Sequence, residues 1–180
     1  MMRDFNDATR AQIEAARPDA STWLTANAGS GKTRVLTDRV ARLLLDDVEP
    51  QHILCLTYTK AAASEIQNRL FKRLGEWAML KDAALRSALA DLGVQGELTP
   101  EQLRNARTLF ARAIETPGGL KIQTIHSFCA ALLRRFPLEA QVSPQFTEIE
   151  DRAADLLRAE IVDEMAEGED APLVAEIARH

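Results

Sequence analysis

Cysteine is scarce in the 180-residue sequence, which contains only Cys55 and Cys129. Both lie among apolar residues without the spacing of metal ligands, so we interpret them as buried free thiols in a reducing cytoplasm. Long apolar runs are also missing. No segment approaches the roughly 20 residues that span a membrane, and residues 1–6 lack the apolar core of a signal peptide. The composition, 46% hydrophobic and 27% charged, indicates a globular cytoplasmic protein with no membrane partner.

Positive charge is scarce near the end of the sequence. Residues 148–180 contain 3 lysines and arginines against 11 acidic residues, a net charge of −8. Residues 1–147 contain 19 against 16, a net charge of +3. This asymmetry indicates two regions with different roles, of which only the first has the charge to meet a nucleic acid.

A phosphate-binding loop is the clearest motif: residues 26–33 read Ala-Asn-Ala-Gly-Ser-Gly-Lys-Thr. Residues 21–25 are partly β-branched and predict a strand, and residues 34–46 have the apolar periodicity of an amphipathic helix. Ala26 replaces the first glycine of the usual pattern, which is acceptable where φ is negative. A strand, a glycine-rich turn, Lys-Thr and a helix together predict a nucleoside triphosphate site.

The chemistry of polyphosphate binding gives each residue type in this loop a role. Gly29 and Gly31 let backbone N–H groups turn inward, and the start of the helix adds partial positive charge. Lys32 reaches the β- and γ-phosphates of ATP, and the Thr33 hydroxyl is a ligand for Mg²⁺. The predicted ATP site within the loop comprises Ala28, Gly29, Ser30, Gly31, Lys32 and Thr33.

Two further strands complete the predicted sheet. Residues 53–57 form a continuous apolar run, typical of a strand buried on both faces of a parallel sheet, and residues 120–124 predict a third strand. Residues that follow such strands lie at the carboxyl edge, where open α/β sheets bind their ligands. We therefore predict an α/β fold of the P-loop NTPase type, with flanking helices and a helical insertion over residues 75–116.

Helical patterns cover most of the remaining sequence. They span residues 5–16, 61–74, 83–92, 100–115 and 125–136, and an acidic amphipathic helix follows residue 148. Gln12 lies in the first of these helices. Its side-chain amide has the groups to pair with N6 and N7 of adenine, but the residues alone favour an ordinary exposed glutamine.

Three segments resemble, in the same order, motifs of the UvrD/Rep-like superfamily 1 DNA helicases. They are the loop at 26–33, Thr-Tyr-Thr-Lys-Ala-Ala-Ala-Ser-Glu-Ile at 57–66, and Thr-Ile-His-Ser-Phe-Cys at 124–129. The resemblance covers residues 12–136 and is strongest to the AddA helicase–nuclease subunits of bacterial double-strand-break repair. It implies a RecA-like motor domain 1A over residues 1–147 and the start of a 1B-like helical subdomain over 148–180. It also implies single-stranded DNA as a ligand and an AddB-like partner subunit.

The resemblance also assigns roles to individual residues. Gln12 reads adenine and Arg34 lies against the base. The residues implied to contact DNA are Thr57, Tyr58, Thr59 and Lys60 in the second motif, and Thr124, His126 and Ser127 in the third. Tyr58 offers a ring for base stacking, and Lys60, Arg69 and Arg73 offer positive charge. Without the resemblance, Tyr58 would be interpreted as a half-buried core aromatic and His126 as a capping or core histidine.

Two components of phosphoryl transfer are missing: an acidic Mg²⁺ ligand after a strand, and an arginine finger. The single Asp-Glu pair, at 163–164, lies in mid-helix by periodicity and is rejected as that ligand. Because members of the family are several times longer, we interpret the chain as an N-terminal fragment. Because it lacks the acidic ligand and the arginine finger, we expect the fragment to be inactive alone. Two alternatives stay open: a non-catalytic ATP- and DNA-binding module, and a small-molecule P-loop kinase with Arg104, Arg107 and Arg112 in its lid.

Overall fold

The computed structural model describes residues 7–25, 31–149 and 151–178. The chain divides into two compact units, Met1–Phe128 and Cys129–His180. The helices are α1 (Asp7–Ala15), α2 (Lys32–Leu45), α3 (Lys60–Met79), α4 (Asp82–Asp91), α5 (Pro100–Glu115), α6 (Ile125–Arg135), α7 (Asp151–Glu167) and α8 (Ala171–Ile177). A short 3-10 helix, Pro50–His52, precedes the first strand.

Two parallel strands, β1 (Leu54–Thr57) and β2 (Lys121–Thr124), form the sheet in the described residues. Leu54 lies beside Lys121 and Thr57 beside Thr124, so both strands end at the same edge. The mixed α/β class and two of the three predicted strands are therefore confirmed. The assignment to a P-loop, RecA-like sheet stays a prediction.

The strand predicted over residues 21–25 is wrong, because these residues form no strand. The backbone just before them is tied to α2 instead: the Arg39 guanidinium donates to the carbonyls of Arg17 at 2.5 Å and Ala20 at 2.6 Å. The Trp23 side chain is 93% exposed, and its indole N–H donates to the Thr25 hydroxyl. Strand propensity depends on context, and here the large side chain faces solvent where a sheet would bury it.

Helices α4 and α5 lie between β1 and β2, within the residues predicted to form a helical insertion, and α5 has the predicted bounds. A capping box fixes its start, because the Thr99 hydroxyl accepts from the Gln102 N–H at 3.2 Å and the Gln102 side chain accepts from the Thr99 N–H at 2.8 Å. The predicted end of α3 at Leu74 is wrong, since the helix continues to Met79. Burial of Trp77 outweighs the helix-weakening Gly75.

The core of the first unit lies between α3 and α5. The Phe71 and Phe110 rings meet edge to face with their centroids 6.2 Å apart. Leucines from α2, α3, α4 and α5 fill the space around them, with 1% or less of each exposed: Leu44, Leu70, Leu74, Leu85, Leu89, Leu103 and Leu109. The insertion is thus part of the same core as the sheet, because Cys55 and Ile122 of the strands join this cluster.

Burial of β1 on both faces was predicted and is wrong. Cys55 is buried, and burial raises the pKa of its thiol, but Leu54 and Leu56 are 43% and 42% exposed. Successive side chains of a strand point to opposite faces, and within the described residues only one face of β1 is covered. The prediction of a buried thiol also fails at Cys129, which is exposed.

The second unit contains the predicted acidic helix α7. The helix α8 follows it and was not predicted from the sequence. Asp163 and Glu164 lie inside α7, as predicted, and therefore do not follow a strand. Before α7, the Arg134 guanidinium lies 5.0 Å from the centre of the Phe146 ring and 3.3 Å from a Glu148 carboxylate oxygen.

Candidate nucleotide and nucleic-acid sites

Gly31 and Lys32 mark the start of α2, where a phosphate is expected to bind. Gly31 has φ 90 and is the N-cap residue of the helix, where it offers no side-chain cap. The N–H groups at the start of a helix point toward a position where an anion can bind. Lys32 is exposed and Thr33 half-buried. Ala28, Gly29 and Ser30 of the predicted site lie outside the described residues.

Gln12 lies directly against this turn. A Cβ atom added to Gly31 would be only 2.8 Å from the Gln12 side-chain nitrogen. The positive φ of Gly31 favours glycine, and a larger residue there would also displace the Gln12 amide. Gln12, the residue that the sequence alone favoured as an ordinary exposed glutamine, is half-buried beside the start of α2.

Arg34 projects from the first turn of α2 and is half exposed. Its Nε atom lies 3.7 Å from a carboxylate oxygen of Asp38, whose side chain is only 6% exposed. Arg73 of α3 also forms an ion pair with Asp38, and Arg69 pairs with Glu65 at 2.7 Å. Arg73 was predicted to offer positive charge to DNA, but its guanidinium instead forms an ion pair that links α3 to α2.

The second and third motifs meet at the carboxyl edge of the sheet, because Thr57 and Thr124 are paired in register. Each strand is followed by a helix that a threonine caps. The Thr59 hydroxyl accepts from the Ala62 N–H at 3.1 Å, and the Thr124 hydroxyl accepts from the Ser127 N–H at 3.1 Å. The two motifs, 67 residues apart along the chain, therefore share one edge.

The side chains at this edge differ in what they can offer a ligand. Tyr58 is 82% exposed, and Lys60 and His126 are exposed. Thr124 is buried, and its hydroxyl also lies 2.9 Å from that of Ser127. The interpretation of Tyr58 as a half-buried core aromatic is wrong. Among the described residues, the edge exposes the Tyr58 ring, the Lys60 ammonium and the His126 imidazole.

Residues that sequence reasoning missed tie α1 to the rest of the site. The Arg42 guanidinium donates to the Ile13 carbonyl at 2.9 Å, and Gly93 lies against the Ile13 side chain. The only signal in the sequence was the position of Arg39 and Arg42, three residues apart on one helix, which does not reveal what they contact.

Over the described residues, no group of three or more His, Cys, Asp or Glu side chains is placed to hold a metal ion. None of the helices seen there is long and apolar enough to cross a membrane.

Comparison with known proteins identifies the class of domain. The family model of the UvrD/REP helicase N-terminal domain matches residues 5–178, and the chain belongs to this family. This confirms the resemblance to UvrD/Rep-like helicases. It also leaves the small-molecule kinase alternative without support: Arg107 instead donates to the Leu80 carbonyl at 3.0 Å, and Arg112 pairs with Asp47.

Individual relatives are ATP-dependent helicase/nuclease subunits A. The chain is 32% identical over 170 residues to that of Desulfitobacterium hafniense, 33% over 163 to that of Oceanobacillus iheyensis, and 32% over 168 to that of Moorella thermoacetica. These alignments cover 91%, 88% and 92% of this chain but 11%, 11% and 10% of the relatives. The chain thus spans about a tenth of their length, and its likeness to the AddA subunits is confirmed.

Proposed function

We propose that this chain is the ATP-binding front part of motor domain 1A, with the start of a 1B-like subdomain, of an ATP-dependent DNA helicase or translocase. The observation that carries the proposal is the contact between Gln12 and Gly31. It brings together two residues that were assigned to the nucleotide independently, one by the family motif and one by the phosphate loop.

The described residues fit Mg-ATP. A helix start whose N-cap is a glycine with φ 90, an exposed lysine and the Gln12 amide beside that glycine support this assignment. Lys32 would bind the β- and γ-phosphates, Thr33 would hold Mg²⁺, and Arg34 would lie beside the base. When bound, the nucleotide supplies the phosphoryl group whose hydrolysis drives movement along DNA.

Single-stranded DNA is the proposed ligand of the carboxyl edge. An exposed ring beside an ammonium suits a single strand, because bases stack on aromatic faces while cations bind the phosphates. Tyr58, Lys60, His126 and Ser127 would contact the strand. Thr57, Thr59 and Thr124 would shape the edge through their hydroxyl hydrogen bonds.

The named relatives are helicase/nuclease subunits. By likeness to them we propose a role in double-strand-break repair and recombination, an AddB-like partner subunit and a cytoplasmic location.

Replacing Lys32 by alanine tests the nucleotide site. Lys32→Ala should lower Mg-ATP affinity at least about tenfold, the equivalent of 1.4 kcal/mol, without unfolding the chain, because the side chain is exposed. Isothermal titration calorimetry measures the affinity. Lys81→Ala, which removes an exposed lysine from the helical insertion, is the matched control. Equal affinity of the Lys32→Ala and Lys81→Ala variants would refute the assignment.

A further inference from the structure

The helix that carries Gln12 borders an open cleft. No residue of α1 is fully buried. A cleft of about 440 Å³ lies beside it, lined by residues that include Ile13, Arg42, Leu89 and Gly93. Two contacts at the rim of this cleft join the end of α1 to α2 and to the residue that follows α4.

The first of these contacts is the hydrogen bond from Arg42 to the Ile13 carbonyl, at 2.9 Å. Ile13 lies in the last turn of α1, where carbonyl groups have no partner within the helix. Burial lowers the pKa of the Arg42 guanidinium, yet an arginine keeps its charge in proteins. A charged donor to a carbonyl in the last turn of the helix fixes the end of α1 to α2.

The second contact is the fit of Ile13 against Gly93, just after α4. Gly93 has φ +92, and a Cβ atom there would lie 2.4 Å from the Ile13 Cγ2 methyl and 3.4 Å from the Arg42 Nη1 atom. The Ile13 methyl thus occupies the space that any other residue at position 93 would need. The end of α4 therefore fixes how closely α1 can approach.

Gln12 immediately precedes Ile13, and neighbouring residues on a helix point about 100° apart. One side of α1 is thus held by Arg42 and Gly93 while Gln12 reaches Gly31. We infer that Arg42 and Gly93 are positioning residues that hold Gln12 at the nucleotide, so that α2 and the helical insertion together set the preference for adenine. This inference rests on the proposed nucleotide site.

Binding of ATP and of inosine triphosphate to the full 180-residue chain, compared by calorimetry, tests the inference. Inosine carries an oxygen in place of the 6-amino group of adenine, whereas its triphosphate is the same, so the ratio of the two affinities reports on base reading alone. Gln12→Ala should lower the ratio about 5- to 150-fold, as expected for one bidentate pair. Arg42→Met and Gly93→Ala should each lower the ratio by most of the same factor. The double variant that combines Gln12→Ala with Arg42→Met should have the same ratio as Gln12→Ala alone.

Matched controls separate positioning from general damage. Gly96 has φ +91 with open space around it, so Gly96→Ala brings the same backbone strain without meeting Ile13. Arg107→Met removes a guanidinium that also donates to a backbone carbonyl, but inside the insertion. Both variants should keep the wild-type ratio. Ile13→Ala should restore the ratio in the Gly93→Ala background, since the nearest Ile13 atom would then be its Cβ at 3.6 Å.

The outcomes distinguish the two levels of the argument. If Gln12→Ala leaves the ratio unchanged, Gln12 does not read the base, and the proposed nucleotide site fails at that residue together with the inference. If Gln12→Ala lowers the ratio but folded Arg42→Met and Gly93→Ala keep it, the inference alone is overturned. If Arg42→Met unfolds, the Gly93→Ala variant still tests the inference: its ratio should fall, and Ile13→Ala should restore it. An unchanged ratio in folded Gly93→Ala would overturn the inference.

Discussion

Tyr58 contributes little to the stability of the fold. Its ring is 82% exposed, and it follows a strand whose end is fixed by other residues: the Thr57 hydroxyl accepts from the Thr59 N–H at 3.1 Å. An exposed aromatic ring on a fixed backbone is suited to stacking against a nucleic-acid base. The proposed role in base stacking depends on this exposure.

Removing this ring should weaken binding to single-stranded DNA. We expect Tyr58→Ala to reduce the affinity for oligo-dT by about 1–3 kcal/mol, the contribution of one stacked base, with little change in its salt dependence. Tyr58→Phe keeps the ring and should bind like the wild type. Fluorescence anisotropy measures both, and equal binding by the alanine and phenylalanine variants would contradict stacking.

At the scale of elements, α2 and α3 connect the two proposed sites. α2 begins at the phosphate loop, and α3 begins beside Tyr58 at the carboxyl edge. The ion pair between Asp38 and Arg73 joins the two helices. Because the Asp38 carboxylate is nearly buried, it depends on this partner far more than an exposed carboxylate would.

Loss of this partner should destabilise the fold. Arg73→Met should lower the free energy of unfolding by about 1–3 kcal/mol, because it leaves a buried carboxylate short of a donor. Arg69→Met, on the same helix, breaks only an exposed pair with Glu65 and should lower it by about 0.3–0.5 kcal/mol. Urea denaturation of the two variants gives the comparison, and similar losses would show that the Asp38 pair has no special weight.

Elements with strong local signals could be predicted from the sequence, and those decided by tertiary contacts could not. The bounds of α5 follow from Thr99, Pro100 and its apolar periodicity, which all act locally. The failed strand at residues 21–25 depends on Arg39, a residue far along the chain that ties down the preceding backbone. Likewise, the motifs named Gln12 and Tyr58, whereas the contacts of Ile13 with Arg42 and Gly93 exist only once α1, α2 and α4 pack together.

The whole chain spans about a tenth of its relatives' length, and we expect it to bind ATP without hydrolysing it. The single Asp-Glu pair lies within α7, so it does not follow a strand as an acidic Mg²⁺ ligand would. The sequence also lacks an arginine finger, a group that alone contributes roughly 10³–10⁵ in rate. A phosphate-release assay should show no turnover that depends on Lys32. Turnover near one per second, lost in Lys32→Ala, would show that the catalytic acid is present.

The charge distribution of the whole molecule bears on how tightly it binds DNA. Residues 148–180 carry a net charge of −8, which opposes the approach of a polyanion. A shorter chain that ends at Val142 should therefore bind oligo-dT more tightly than the full chain, provided that it still binds Mg-ATP.

The central claim, a nucleotide site and a single-strand edge on one domain, is tested most directly by the salt dependence of oligo-dT binding. Fluorescence anisotropy at several salt concentrations should show affinity that falls as salt rises, for the full chain and for the chain ending at Val142. Lys60→Ala should reduce the slope of that dependence by about 0.7, the value for one phosphate contact on a single strand. If both chains bind Mg-ATP but neither binds oligo-dT even at low salt, the DNA edge is wrongly assigned.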